Sequence, residues 1–117
     1  MVVENGDMLR PLLGKILRRE GYNVLEAKDG DEALLMWDRY SGTIDVVVTD
    51  VVMPNMSGKQ LVERLRSLKP DLKVIYMSGY DSSILAAGNK FGSNATFLQK
   101  PFRPAELSQT VREVLQS

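Results

Sequence analysis

The sequence contains no cysteine and no histidine. Without cysteine there is no disulfide, no thiolate nucleophile and no cysteine-ligated metal, a composition that suits a reducing compartment. Without histidine there is no Ser-His-Asp triad, no zinc site of the usual imidazole type and no phosphohistidine carried by this chain itself. Charge of one sign is not in excess either, because 15 Lys and Arg balance 15 Asp and Glu. Surfaces that grip nucleic-acid phosphates usually show a basic excess, so direct binding of DNA or RNA is not expected. No apolar run approaches the ~20 residues that cross a bilayer. The opening Met1-Val2-Val3-Glu4 lacks the basic and long apolar stretches of a signal peptide. The expectation is a cytoplasmic chain without membrane contact. Its acid–base or metal chemistry must rest on Asp, Glu, Asn, Lys, Ser, Thr or Tyr.

With 117 residues, 44% of them hydrophobic, the chain is long enough for one core and reads as a single domain over 1–117. Two hydrophobic periods alternate along it. Met1 to Val3 is a short apolar strand. Asp7 is the expected cap of a helix carrying Leu9, Leu13 and Leu17 and stopped by Gly21. Asn23 to Glu26 reads as a strand, and Asp29-Gly30 leads into a helix with Ala33, Leu34 and Trp37. Ile44 to Thr49 is a β-branched run of the kind buried on both faces of a parallel sheet, with Asp50 directly after it. Ser57 is the expected cap of a helix bearing Leu61, Val62 and Leu65. Leu72 to Met77 is a strand ending at Ser78-Gly79. A weaker helix is expected at 82–87, a polar loop at 88–94, and a strand from Ala95 to Leu98. Pro101 and Pro104 frame the start of a last helix with Leu107, Val111 and Val114. Five strands alternating with five helices imply right-handed crossovers and a parallel sheet covered on both faces.

In such a sheet ligands bind beyond the carboxyl ends of the strands. The polar residues there are Glu4 and Asn5, Asp50, Ser78 and Lys100. Glu4, Asn5 and Asp50 offer oxygen donors, which beside a phosphate suit Mg²⁺. Asp50 is a carboxylate nucleophile of the type that forms an aspartyl phosphate. Phosphoryl transfer needs in-line positioning and neutralised charge, which a metal, the Lys100 ammonium and the Ser78 hydroxyl can provide.

Along nearly its whole length the chain resembles the response-regulator receiver family of two-component signalling. The resemblance is carried by Val2-Val3-Glu4-Asn5, Thr49-Asp50-Val51-Val52-Met53-Pro54, Met56-Ser57-Gly58, Met77-Ser78-Gly79-Tyr80 and Phe97-Leu98-Gln99-Lys100-Pro101-Phe102, in order and at matching spacing. It implies a flavodoxin-like α/β fold, a doubly wound (βα)5 with five parallel strands in the order 2-1-3-4-5. It implies that Asp50 is the phosphoacceptor, that Ser78 follows the phosphoryl group, that Lys100 before Pro101 pairs with the phosphate, and that Phe97 is a switch aromatic. Mg²⁺ would be held by Glu4, Asn5, Asp50 and the Val52 backbone carbonyl. The partners would be a sensor histidine kinase or a histidine phosphotransfer protein. The switched face would comprise the predicted fourth helix, fifth strand and fifth helix, with a homodimer as one use of it.

Two features depart from the usual pattern. The family usually has two consecutive acids after the first strand, whereas here the second is Asn5, so weaker Mg²⁺ binding is expected. Val52 and Tyr80 occupy the positions that flank attacking water, so slow autodephosphorylation is expected. The wording around Ser78 and Lys100 also resembles receivers at the C-terminus of hybrid sensor histidine kinases. No independent turnover enzyme is expected, only self-catalysed phosphorylation and dephosphorylation. The alternatives are a degenerate pseudo-receiver that only binds protein, and an enzyme with an aspartate nucleophile. The dehalogenase-like enzymes usually carry a second aspartate where Val52 stands. A flavin carrier would want a Ser/Thr/Gly loop where Asn5-Gly6-Asp7 stands. Gly14-Lys15 is no phosphate-binding loop, because Leu9 and Ile16 stand at its other key positions.

Overall fold

In the computed structural model residues 1–79 and 95–117 are described. The predicted helix at 82–87, the loop at 88–94 and Tyr80 lie outside the described residues. The strands are β1 (Val2–Val3), β2 (Glu26–Ala27), β3 (Val46–Asp50), β4 (Lys73–Ser78) and β5 (Thr96–Gln99). They form one parallel sheet in the order β2-β1-β3-β4-β5, as the resemblance implies. The helices are α1 (Leu9–Arg19), α2 (Gly30–Tyr40), α3 (Gly58–Leu68) and a C-terminal helix (Pro104–Gln116). No helix among the described residues is long and apolar enough to cross a membrane.

The continuous apolar run of β3 is explained by a core on each face. Val3, Val47, Val74 and Tyr76 pack with Trp37 of α2 and Leu61 and Leu65 of α3. The alternate residues Val2, Val48, Ile75 and Met77 pack with Leu13 and Leu17 of α1 and Leu107 and Val111 of the C-terminal helix. Successive strand side chains point to opposite faces, so both sets must be apolar.

Most helix starts follow their local signals. The Asp29 carboxylate accepts from Glu32 N at 2.9 Å. Ser57 and Gln60 form a reciprocal capping box at 3.1 and 3.0 Å. Gly21 ends α1 with φ +94°, a left-handed conformation that glycine adopts without strain. Asp7 corrects the sequence expectation, because it does not cap α1. Met8 holds the cap position without a side-chain hydrogen bond, and the Asp7 carboxylate instead pairs with Arg10 at 2.9 Å.

The strand boundaries also differ. β2 begins at Glu26 rather than Asn23, because it pairs only with the two-residue β1. β3, β4 and β5 each begin and end later than their apolar runs suggest. Asp50 is the last residue of β3, opposite Met77, and Ser78 is the last of β4, opposite Gln99. Backbone pairing ignores side-chain polarity, so the ladder runs on through residues that a hydrophobic pattern would exclude.

Candidate functional site

The late ends of β3 and β4, with the residue that follows β1, bring three polar side chains into the molecule's interior. Glu4, Asp50 and Ser78 are only 4%, 6% and 3% exposed. They lie at the carboxyl edge where the strand order reverses between β1 and β3, the crevice of a doubly wound sheet. Lys100 follows β5 and reaches back into this crevice. Its ammonium lies 2.5 Å from Glu4 Oε1 and 2.6 Å from Asp50 Oδ1. Its backbone N–H donates to the Ser78 carbonyl at 2.6 Å, and the following peptide bond to Pro101 is cis.

The other groups of the crevice are fixed from the backbone. Glu4 Oε2 accepts from Gly6 N at 2.7 Å. The Asp50 loop turns through Asn55 at φ +68° and returns so closely that Gly58 N donates to the Val51 carbonyl at 2.8 Å. A Cβ on Gly58 would stand 2.0 Å from the Asp50 carbonyl oxygen, so only glycine fits there. The Ser78 hydroxyl is fully buried and has no hydrogen-bond partner among the described residues. A buried hydroxyl without a partner is unfavourable by about 1–3 kcal/mol, the kind of defect found where a ligand supplies the missing contact.

Charge and burial compete in this cluster. Burial pushes the Asp50 carboxyl up to about 6, with the neighbouring Glu4 charge acting in the same direction and Lys100 opposing. Burial also acts to raise Glu4, but the Lys100 ammonium and the Gly6 N–H outweigh it and hold Glu4 below its ordinary value. Burial would lower Lys100, yet its two carboxylate partners raise it. With both carboxylates ionised, one ammonium leaves a net negative crevice that favours a further cation.

The crevice brings Glu4, Asp50, Ser78 and Lys100 together. Asn5 is exposed, and its side chain has no hydrogen bond among the described residues. Val52 is 75% exposed. Phe97 is half-buried and stacks on Tyr76, ring centroids 5.5 Å apart. Two residues gain roles that their motifs did not reveal. Gly58 admits the Asp50 backbone, and Arg10 binds the loop after β1. The signal for Gly58 lay in its position after a turn, whereas nothing in the sequence pointed to Arg10.

Magnesium fits the donor chemistry. Among the described residues no group of three His, Cys, Asp or Glu can hold a metal. A cation there would meet the carboxylates of Glu4 and Asp50, with Asn5 and the Val52 carbonyl as the neutral oxygen donors that the family resemblance implies. Oxygen donors of this kind suit a hard cation that keeps several waters and shares phosphate oxygens.

Fold and crevice define a doubly wound α/β domain with a lysine and two buried carboxylates at its switch point, and comparison with known proteins supplies its family. The chain belongs to the response regulator receiver domain family, whose family model matches residues 1–112. It is 40% identical over 116 residues to the sensor kinase CckA of Brucella abortus, spanning 99% of this chain but 12% of CckA. It is 29% identical to the receiver protein CpdR of the same organism, spanning 98% of this chain and 94% of CpdR. The crystal structure of the receiver domain from the hybrid histidine kinase CckA superposes with a TM-score of 0.82 at 33% identity, covering 98% of this chain and 96% of that one. The protein is thus a receiver domain of two-component signalling, a family whose general function is to accept a phosphoryl group on aspartate.

Proposed function

We propose that Asp50 accepts a phosphoryl group from the phosphohistidine of a sensor histidine kinase or histidine phosphotransfer protein. The observation that carries this reading is the convergence on one buried carboxylate of a lysine at 2.6 Å and, across the strand ends, a buried hydroxyl without a partner among the described residues. An Asp50 carboxylate oxygen attacks phosphorus in line, a new O–P bond forms, and the P–N bond to the partner's imidazole breaks. The electron pair leaves on that imidazole nitrogen. Lys100 neutralises charge on the phosphoryl oxygens, and Ser78 Oγ gains the acceptor that it lacks. Mg²⁺ held by Glu4, Asn5, Asp50 and the Val52 carbonyl would supply further positive charge to those oxygens.

The partner is read as a cytoplasmic helical protein. Met8 at the cap of α1 and Leu12 one turn on are 90% and 51% exposed and offer an apolar strip to such a partner. Phe97 couples the modified site to the face formed by β5 and the C-terminal helix, where a homodimer can form. The parent protein is read as a hybrid histidine kinase. The exposed Val52 side chain, with Tyr80, hinders attacking water. Val52→Asn is therefore expected to shorten the phosphoryl lifetime severalfold, followed by the decay of radiolabelled protein; an unchanged half-life refutes that role.

The central test is intact-mass spectrometry after incubation with acetyl phosphate and Mg²⁺. One added phosphoryl group, absent in Asp50→Asn, is the expected result. No mass gain at saturating Mg²⁺ and phosphodonor favours a pseudo-receiver that only binds protein.

A further inference from the structure

Arg10 is placed against the local preference of its helix. It lies in the first turn of α1, where the helix dipole disfavours a cation, and that turn contains no acid. The helix also lacks a side-chain cap. Yet the Arg10 side chain is only 18% exposed. Its guanidinium turns back over the preceding loop. Nη1 donates to the Glu4 carbonyl and Nη2 to the Asp7 carboxylate, both at 2.9 Å. Its backbone N–H donates to the Gly6 carbonyl at 3.0 Å. One residue thereby holds three of the four loop positions from Glu4 to Asp7. The position left between them is Asn5, whose side chain has no hydrogen bond of its own among the described residues. The orientation of Asn5 therefore depends on the backbone that Arg10 clamps. Glu4, the other loop donor, is tied to the same clamp through its carbonyl.

We propose that Arg10 is a positioning residue for divalent-cation binding, fixing the loop from Glu4 to Asp7 so that Glu4 and Asn5 face Asp50. This rests on the phosphoacceptor reading only in taking those residues as the cation donors. The proposal has a distinctive sign. Arg10 carries a positive charge near the site, so by charge alone its removal tightens cation binding. By positioning, its removal loosens it, and so does a lysine that keeps the charge but lacks the fork for two separate acceptors.

The test is calorimetric titration of the purified protein with MgCl₂, for wild type, Arg10→Met, Arg10→Lys and Asp7→Asn, with circular dichroism melts run alongside. Both Arg10 variants are expected to bind Mg²⁺ about tenfold more weakly, in line with the loss of groups that orient metal ligands. Asp7→Asn, which weakens one arm of the clamp, should show a smaller loss. Tighter binding in Arg10→Met with unchanged binding in Arg10→Lys overturns the proposal, because charge alone then explains the effect. If Arg10→Met does not fold, Arg10→Lys decides: wild-type affinity in it overturns the proposal. Acetyl phosphate labelling of the wild type separates the two claims. Wild-type protein that binds Mg²⁺ but takes no phosphoryl group defeats the phosphoacceptor reading and leaves the clamp standing.

Discussion

Lys100 and Glu4 meet at 2.5 Å across a separation of 96 residues, and the same ammonium contacts Asp50 at 2.6 Å. The lysine thus joins the loop after the first strand to the end of the third. If it also neutralises the transferring group, Lys100→Met should slow phosphorylation by acetyl phosphate about 100-fold, the usual loss for one preorganised electrostatic contact. Initial rates by intact mass check this, and a change below threefold refutes it.

Asp50 binds its proton more tightly when folded than when unfolded, since its folded pKa lies at about 6 against an ordinary 3.8. Its ionisation therefore destabilises the metal-free fold as pH rises through about 6, and the effect vanishes below the ordinary value. Asp50→Asn should be more stable than wild type at pH 8 by about 2 kcal/mol, in buffer containing a chelator. The gain should shrink as the pH falls toward 4. Thermal melts at both pH values provide the test, and a gain independent of pH refutes the assignment.

Gly58→Ala puts a methyl group into the Asp50 carbonyl, where 2.0 Å is all the room there is. The acceptor loop must shift to relieve the overlap. A stability loss of about 1–3 kcal/mol is expected, with a fall in melting temperature above about 5 °C. An unchanged melting temperature would show that the loop is free to give way.

Asn5→Asp restores a charge to the cation loop. Mg²⁺ binding by titration calorimetry should tighten, and phosphorylation at limiting Mg²⁺ should speed up. Unchanged or weaker binding would remove Asn5 from the donor set.

The strand order and the meeting of Asp50 with Lys100 were legible in the sequence, whereas the strand ends were not. Asp50 and Ser78 stood out as polar residues at the ends of strands rich in apolar residues, whereas only the motif that Lys100 shares with the receiver family lifted it above an ordinary surface lysine. The strand ends were misjudged by a residue or two because hydrophobicity marks burial, whereas a strand is defined by its backbone pairing. Asp7 looked like a helix cap because its type and position suit one. The competing cation, Arg10, is three residues away and turns back over the loop to take the Asp7 carboxylate. The stacking of Phe97 on Tyr76 likewise depends on the register between β4 and β5, which no local pattern encodes.

The pairing of Lys100 with Glu4 also dictates when the site can exist. During synthesis, Asp50 emerges as part of a sheet that still lacks β5. Until that last strand docks beside β4, its carboxylate has no ammonium beside it, and the ladder bond from Lys100 N to the Ser78 carbonyl is missing. A contact of such long sequence separation costs loop-closure entropy before it contributes anything. A partial or misfolded chain therefore presents an aspartate without its counter-ion, and competence to receive the signal is withheld until the whole domain has folded.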